Sequence, residues 1–239
     1  MKLDYSIVLP VFNESATLEH AVAKIVSALA GLDAEIIIAE DGSTDGTYDA
    51  AKRLAKKFPS VRVLHSAEKL VRGRALAAAF KRARGRVVAY MDSDLSTDLA
   101  SLKPLLACAK ECDVVTGSRY LKESKLQRDR TRLAASTVFN FLVRLVLGSR
   151  LADHQCGFKA FSREAILKLS KLSQSTAWFW DTEILVLATK LGYCVREIPV
   201  KWKERNSGES KVRLPRDSLE MLREMLGLRL RLWTRGVLY

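Results

Sequence analysis

Histidine and cysteine are scarce in this 239-residue chain, which has three of the first and four of the second. None of His20, His65 and His154 stands near a cysteine at zinc-finger spacing, and Cys108, Cys112, Cys156 and Cys194 form neither a zinc ribbon nor a Cys-x-x-Cys redox pair. Structural zinc and dithiol redox chemistry are therefore excluded as organising themes. The four cysteines read as buried reduced thiols, which suits a reducing, cytoplasmic compartment. Long apolar runs are also missing. The most apolar stretch, 133–147, is interrupted by Ser136, Asn140 and Arg144 and is too short to span a bilayer. Residues 1–10 read as a strand, not a secretory leader. Acidic charge is in deficit: 40 Lys and Arg stand against 27 Asp and Glu, a net charge of +13. Such a surface attracts polyanions: nucleic acid, anionic lipid or phosphorylated ligands. No basic-aromatic binding module is evident, so nucleic acid is not the expected partner.

The composition, 48% hydrophobic and 28% charged, suits a globular protein with a sizeable core. Its first half alternates strand and helix. Residues 6–10 are β-rich, and 16–29 carry apolar residues at helical spacing (Leu18, Val22, Ile25, Val26, Leu29). The run Ala34-Glu35-Ile36-Ile37-Ile38-Ala39 is that of a buried parallel strand. Helix over 47–57, strand over 61–64, helix over 73–84, strand over 86–91, helix over 99–110 and strand over 113–116 complete a β-α-β-α order. This predicts a parallel sheet covered on both faces, with ligands at the carboxyl ends of its strands. Helices over 131–147, 163–172, 181–191 and from about 215 onward, with strands near 153–161 and 195–202, make up the second half.

Four strand ends are rich in polar groups: Phe12-Asn13-Glu14, Glu40-Asp41-Gly42-Ser43, Asp92-Ser93-Asp94 and Gly117-Ser118-Arg119. Asp92 and Asp94 flank one residue after an apolar strand. Two carboxylates so close repel unless a cation sits between them. Hard divalent ions such as Mg²⁺ or Mn²⁺ take oxygen ligands and share them with diphosphates. Asp41 can accept hydrogen bonds from a base edge, while Asp45 or Thr47 would cap the next helix. Arg72-Gly73-Arg74 opens another helix with donors suited to a diphosphate. There is no GxxxxGK and no GxGxxG.

These residues resemble the family 2 inverting glycosyltransferases. The matching stretches are Leu9-Pro10-Val11-Phe12-Asn13-Glu14, Glu40-Asp41-Gly42-Ser43-Thr44-Asp45-Gly46-Thr47, Met91-Asp92-Ser93-Asp94 and Gly117-Ser118-Arg119-Tyr120. Within that family the second half resembles the polyprenyl-phosphate hexose synthases, dolichyl-phosphate mannose synthase and dolichyl-phosphate glucosyltransferase among them. The stretches there are Asp153-His154-Gln155-Cys156-Gly157-Phe158-Lys159, Trp180-Asp181-Thr182-Glu183 and 205–211. The implied fold is α/β: a GT-A (Rossmann-like), mostly parallel sheet with helices on both faces, plus amphipathic interface helices. Residues 1–212 would form the catalytic domain, with 131–148 a membrane-interface helix, and 213–239 a C-terminal basic amphipathic helix.

By the same resemblance Pro10, Phe12, Glu14 and Asp41, with Asp92, hold the nucleotide. Asp92 and Asp94 hold the metal, Mg²⁺ or Mn²⁺. Ser96 stands where mannose-type enzymes often carry a Gln as a further metal contact. Arg119, Arg132 and Ser136 match positions that grip the acceptor phosphate, and Arg205 and Lys211 match a loop that closes over the donor diphosphate. Gln155, Asp181 and Glu183 are assigned to the sugar; Asp92, Asp94, Arg119, Arg132 and Asp181 form the catalytic set. Glu40 departs from the usual Asp. The implied donors are UDP-glucose or GDP-mannose, with a lean to glucose. The acceptor is a polyprenyl or dolichyl phosphate at a membrane surface. Relatives carry transmembrane helices, so the resemblance leaves room for a membrane-anchoring partner subunit. The expected place is the cytoplasmic membrane face, held peripherally.

An alcohol acceptor needs a general base, whereas a lipid phosphate is already largely dianionic near neutral pH and needs cations to place it. The tail supports a membrane reading. Leu219, Leu222, Leu226, Leu230, Trp233 and Val237 form a stripe at helical spacing, and 213–239 holds six arginines against three acids. Such a stripe also suits a helix packed on the catalytic core. The rival function is a family 2 enzyme with a soluble or glycan acceptor, using Asp181 or Asp153 as base. The Gln-x-x-Arg-Trp motif of processive synthases is absent. A nucleotidyltransferase would want a glycine-rich basic signature where Asn13-Glu14 stands.

Overall fold

The computed structural model describes residues 3–204 and 214–234. In chain order the elements are β1 (Tyr5–Val11), α1 (Leu18–Ala28), β2 (Ala34–Asp41), α2 (Thr47–Lys57), β3 (Val61–Ser66), α3 (Arg72–Arg82) and β4 (Val87–Met91). A 3₁₀ turn (Leu99–Ser101) then leads into α4 (Leu102–Cys108), β5 (Val114–Ser118), β6 (Lys125–Gln127) and α5 (Arg130–Leu147). The chain continues through β7 (Phe158–Ser162), α6 (Arg163–Leu172), α7 (Trp180–Lys190), β8 (Val195–Pro199), β9 (Lys201–Lys203) and α8 (Leu214–Thr234).

Seven strands form one sheet in the order β3-β2-β1-β4-β7-β5-β8. Period-two alternation feeds two cores. Ile36 and Ile38 of β2 pack with Leu18, Val22 and Ile25 of α1 and Leu54 of α2. Ile37 faces the other way, toward Leu76 and Phe80 of α3, Ile166 of α6 and Ile184 of α7. The predicted sheet with helices on both faces is what forms, with one correction: β7 runs antiparallel between β4 and β5. Its reversal matters for function. Because β7 is antiparallel, its entry residues, Cys156 and Gly157, lie at the carboxyl edge of β4, where Met91 pairs with Phe158. The 195–202 strand of the sequence reading is two pieces. β8 stays in the main sheet, while β9 pairs with β6 in a separate two-stranded ribbon.

The cysteines need a second correction. Cys112 and Cys194 lead into the neighbouring parallel strands β5 and β8, with Cα atoms 5.1 Å apart, and are joined as a disulfide. Sequence spacing could not show a pairing created by strand register. Cys108 and Cys156 are free; burial pushes the Cys156 thiol up to about 12, so it stays protonated.

No helix among the described residues is long and apolar enough to cross a membrane. The tail stripe has a definite direction. Met221, Met225, Leu228 and Leu232 of α8 are buried, whereas Leu219, Leu222, Leu226, Leu230 and Trp233 are exposed. The stripe seen in the sequence is thus the outward face, and a different set docks α8 on the core. Val237 lies outside the described residues.

His154 is fully buried. Its Nδ1 lies 2.8 Å from Asn140 Oδ1 and its Nε2 2.8 Å from Ser149 Oγ. Burial holds its pKa at about 4, below the ordinary 6.5, so the fold requires the neutral ring. Stability from this group is complete above about 6.5 and is lost as pH falls toward 4. Urea melts should show up to about 3 kcal/mol of acid-induced loss over that window, and His154→Gln should flatten that slope. A wild-type stability unchanged between pH 7 and pH 4.5 would contradict the assignment.

Candidate active site

The loops after β1 and β2 are laced together. Asn13 N donates to Ser43 Oγ (3.0 Å), Thr44 N to Asn13 Oδ1 (2.9 Å), Glu14 N to Thr47 Oγ1 (2.8 Å) and Ser15 N to Asp45 Oδ2 (3.1 Å). Asp45 also accepts from Thr47 N at the start of α2. Burial works against its charge, but hydrogen bonds from Thr47 and Ser15 prevail and hold its pKa at about 2. Pro10, Phe12, Glu14 and Asp41 are therefore neighbours at one strand edge. Lys69 Nζ sits 3.6 Å over the Phe12 ring. Asp41 Oδ1 accepts from Leu70 N (2.6 Å), and burial pushes the carboxyl upward in spite of that bond. Gly42, at φ +70°, has the 67–69 backbone against it, at 3.1 Å from where a Cβ would stand. Glu40 uses its extra methylene to reach His65, its register partner on β3, while Oε1 accepts from Ser43 N (2.5 Å).

The acidic turn follows β4. Asp92 is half-buried, and Gly157 exists to receive it. A Cβ on Gly157 would stand 2.0 Å from Asp92 Oδ2. Asp92 Oδ1 accepts from Arg72 Nη2 at 2.8 Å, and Arg72 Nε reaches Asp181 Oδ2 at 3.3 Å. The guanidinium lies between the Tyr90 and Trp178 rings, 5.6 and 5.5 Å from their centroids. Burial opposes its charge, and Asp92 and Asp181 more than offset that. Asp181 Oδ1 takes a bond from Tyr90 Oη and another from Lys159 Nζ (2.8 Å), which also donates to Cys156 O (2.5 Å). Burial drives Lys159 down to about 7 and Asp181 up to about 6, Arg72 resisting the latter. The Gln155–Lys159 motif thus has a physical reading: Gly157 admits Asp92, and Lys159 holds Asp181 from beneath.

A cavity opens from this turn. Its lining includes Arg72, Asp92 and Asp181, which are joined by hydrogen bonds, and Arg119, Arg128, Arg132 and Ser136, with Gln155, Phe139 and Met221. Arg119 is bidentate on Asp153, through Nε (2.7 Å) and Nη2 (2.8 Å). Arg132 pairs with Glu204. Ser136 Oγ lies 2.6 Å from Tyr120 Oη and 2.8 Å from Arg132 O. Gln155 Nε2 points at Met221 Sδ, 3.7 Å away.

Glu183 requires a correction. It is fully buried, and its carboxylate accepts from Ser173 Oγ (2.5 Å), Gln174 N (3.0 Å), Ser175 N (2.7 Å) and Arg231 of α8. It ties the loop after α6 to α8 and is not free to meet a sugar. Glu183 follows Asp181 by two residues on α7, about 200° around the helix, so the two carboxylates point to different sides. Ser96 reaches the site only through Asp94, donating Oγ to Oδ2 (2.7 Å) and N to Oδ1 (2.9 Å). Arg205 and Lys211 lie outside the described residues. Sequence reasoning missed Lys159, Tyr90, Trp178 and Arg128. The first three stand in or beside motifs that were quoted; Arg128 had no motif to mark it.

Asp92 and Asp94 are hard oxygen donors on one turn, and Asp92 already carries a cation, Arg72. That set fits Mg²⁺ or Mn²⁺ and not zinc. Among the described residues no three His, Cys, Asp or Glu side chains cluster as a complete metal cage. Two carboxylates suffice for an ion that draws its remaining ligands from substrate phosphates and water.

The acidic turn and the arginine-lined cavity beside it sit on a mostly parallel sheet of the GT-A type. Residues 6–170 match the model of Glycosyl transferase family 2, and the chain belongs to that family. It is 44% identical over 230 residues to glycosyltransferase AglD of Haloferax volcanii, a match covering 94% of this chain and 36% of that protein. It is 28% identical to dolichyl-phosphate beta-glucosyltransferase of Saccharomyces cerevisiae, covering 94% of this chain and 74% of that one. Among solved structures, glucosyl-3-phosphoglycerate synthase of Mycobacterium tuberculosis bound to UDP superimposes with a TM-score of 0.69 at 21% identity, covering 95% and 80% of the two chains. The same enzyme with Mn²⁺, UDP and glucosyl-3-phosphoglycerate gives 0.66 at 21% identity, covering 96% and 79%. These structures establish the fold.

Gly157→Ala should push Asp92 off the turn while leaving both cores intact. We expect a loss of transfer of about a hundredfold with an unchanged melting temperature. Full activity in that variant would show that Asp92 is not held where the close contact places it.

Proposed function

We propose that this protein moves a hexose, with inversion at C1, from a nucleotide-sugar (UDP-glucose or GDP-mannose) to a polyprenyl or dolichyl phosphate. The observation that carries the reading is the cavity itself: it brings Asp92 together with four arginines, and among the described residues that line it both carboxylates, Asp92 and Asp181, already have partners. Asp153 is locked in the Arg119 fork and held below the usual carboxylate range by it despite burial. Both oxygens of Asp181 are engaged, by Arg72 on one side and by Lys159 and Tyr90 on the other. An alcohol acceptor would need one of them; a phosphate dianion needs neither. The names of the relatives point to the same acceptor, and the lean to glucose follows from them.

In this reading Pro10, Phe12, Glu14 and Asp41 seat the nucleotide, with Arg205 and Lys211 assigned by resemblance to the loop that closes on the donor. Asp92 and Asp94 hold Mg²⁺ or Mn²⁺ against the donor diphosphate. When bound, the ion offsets the charge that develops on the leaving group. Arg119, Arg132 and Ser136 orient the acceptor phosphate, and Gln155 and Asp181 orient the sugar. A phosphate oxygen forms the new bond to C1 as the bond from C1 to the diphosphate breaks, its electron pair leaving with the nucleotide.

The acceptor sits in a membrane, and two helix faces suit that surface. Val138, Phe141 and Leu145 of α5 and Leu219, Leu222, Leu226, Leu230 and Trp233 of α8 are exposed, and α5 contacts α8. With the basic charge around them, they form a peripheral docking face for anionic lipid on the cytoplasmic side. An anchoring partner subunit would add to that attachment.

Incubating the protein with polyprenyl phosphate, Mg²⁺ or Mn²⁺ and each donor in turn should yield a glycosyl phospholipid. Asp92→Asn and Asp94→Asn should each lower kcat/KM by about a hundredfold or more. Transfer from neither donor would defeat the proposal. Separately, Leu226→Glu with Leu230→Glu should abolish flotation with anionic liposomes without lowering the melting temperature. Undiminished flotation would remove α8 from the membrane face.

A further inference from the structure

We infer that Arg128 supplies the net positive charge that captures the acceptor phosphate; this rests on the transfer reading above. Four arginines line the cavity, Arg72, Arg119, Arg128 and Arg132. Three of them arrive already neutralised. Arg72 is shared by Asp92 and Asp181, Arg119 is forked on Asp153, and Arg132 is paired with Glu204. Among the described residues Arg128 has no ion pair, and its Nε is buried with no hydrogen-bond partner. A buried guanidinium nitrogen left unsatisfied is costly unless a ligand completes it. Its guanidinium lies over the Trp202 ring, 5.4 Å from the centroid, and Arg119 lies 5.7 Å from the same ring. Burial, Arg119 and Arg132 all work against the charge on Arg128. Such a cluster, three cations on two carboxylates, has an anion's worth of charge to give.

The ligand class is a phosphate monoester dianion. Arg128 directly precedes Asp129, which caps α5 by accepting from Thr131 N and Arg132 N. Arg128 lines the same cavity as Arg132, Ser136 and Asp92, the last of which belongs to the turn assigned to the donor diphosphate. Trp202, its platform, is tied back to that turn: Lys203 N donates to Ser96 O (2.9 Å), and Trp202 bridges to Thr97. The β6–β9 ribbon therefore links the acceptor anchor to the metal turn. Arg119 and Arg132 orient the same phosphate, with Asp153 and Glu204 already balancing their charge.

The test compares wild type, Arg128→Gln and Arg128→Lys, each checked for folding by circular dichroism. With a short-chain polyprenyl phosphate in detergent, R128Q should raise the acceptor KM about tenfold or more, leave the nucleotide-sugar KM within about twofold, and R128K should fall between. Calorimetry with inorganic phosphate, in the presence of UDP and Mn²⁺, supplies a lipid-free arm: wild type should bind and R128Q should not. Loss of phosphate binding in R128Q, with no lipid turnover by wild type, would uphold the anion site and defeat only the lipid acceptor. Unchanged acceptor KM and phosphate affinity in R128Q would overturn the inference. So would a fall in nucleotide affinity alone, or a wild type that binds no phosphate and transfers no sugar. Should R128Q fail to fold, Arg128→Met, which keeps an apolar stem over Trp202 and removes the charge, decides: an acceptor KM equal to that of wild type would overturn the inference.

Discussion

Asp92 and Asp181 lie close enough to share one guanidinium, and the interior of the site is arranged around making that arrangement tolerable. Arg72 spans the two carboxylates between Tyr90 and Trp178, and Lys159 supports Asp181 from below. Removing any one of these charges would strand another in a poorly solvated place, a loss typically of about 3–5 kcal/mol for a buried pair. The antiparallel β7 delivers two members of the arrangement, the glycine that accepts Asp92 and the lysine that holds Asp181. An otherwise parallel sheet has been interrupted at the one strand position where its acidic turn needs support.

The same electrostatics explains the division of the cavity. Near Asp92 the surplus is negative once Arg72 is drawn away by a diphosphate, which is where a divalent cation has a place. Along α5 the surplus is positive. In the proposed reading a donor and an acceptor that both carry phosphate would thereby engage different residues of the one cavity. Because the acceptor oxygen is anionic in this reading, neither Asp153 nor Asp181 has to be free to act as a base.

Much of this was legible in one dimension. The apolar Ile36–Ala39 run marked a strand buried on both faces, and the four polar strand ends marked the edge where ligands are expected. The rest depended on pairing that spacing does not encode. Cys112 and Cys194 meet only because β5 and β8 run side by side. Glu183, two residues from Asp181, looked like its companion, but helical rotation aims it at the loop after α6 and at Arg231. Arg119 and Arg132 looked like free cations until Asp153 and Glu204 were placed against them, while Arg128, in no motif, kept its charge. The tail stripe was visible, but its direction was not. Two methionines and two leucines, Met221, Met225, Leu228 and Leu232, dock α8 and leave the stripe of Leu219, Leu222, Leu226, Leu230 and Trp233 outside.

The central claim is that Asp92, with Asp94, is a cation site completed by the donor diphosphate, and that Arg72 occupies Asp92 in its absence. Crystals grown with UDP and Mn²⁺ and measured at the manganese edge test this directly. The account predicts an anomalous peak between the two carboxylates and the nucleotide phosphates, with the Arg72–Asp92 pair broken or shared. Nucleotide bound with no peak at the turn, and Arg72 still seated on Asp92, would contradict it.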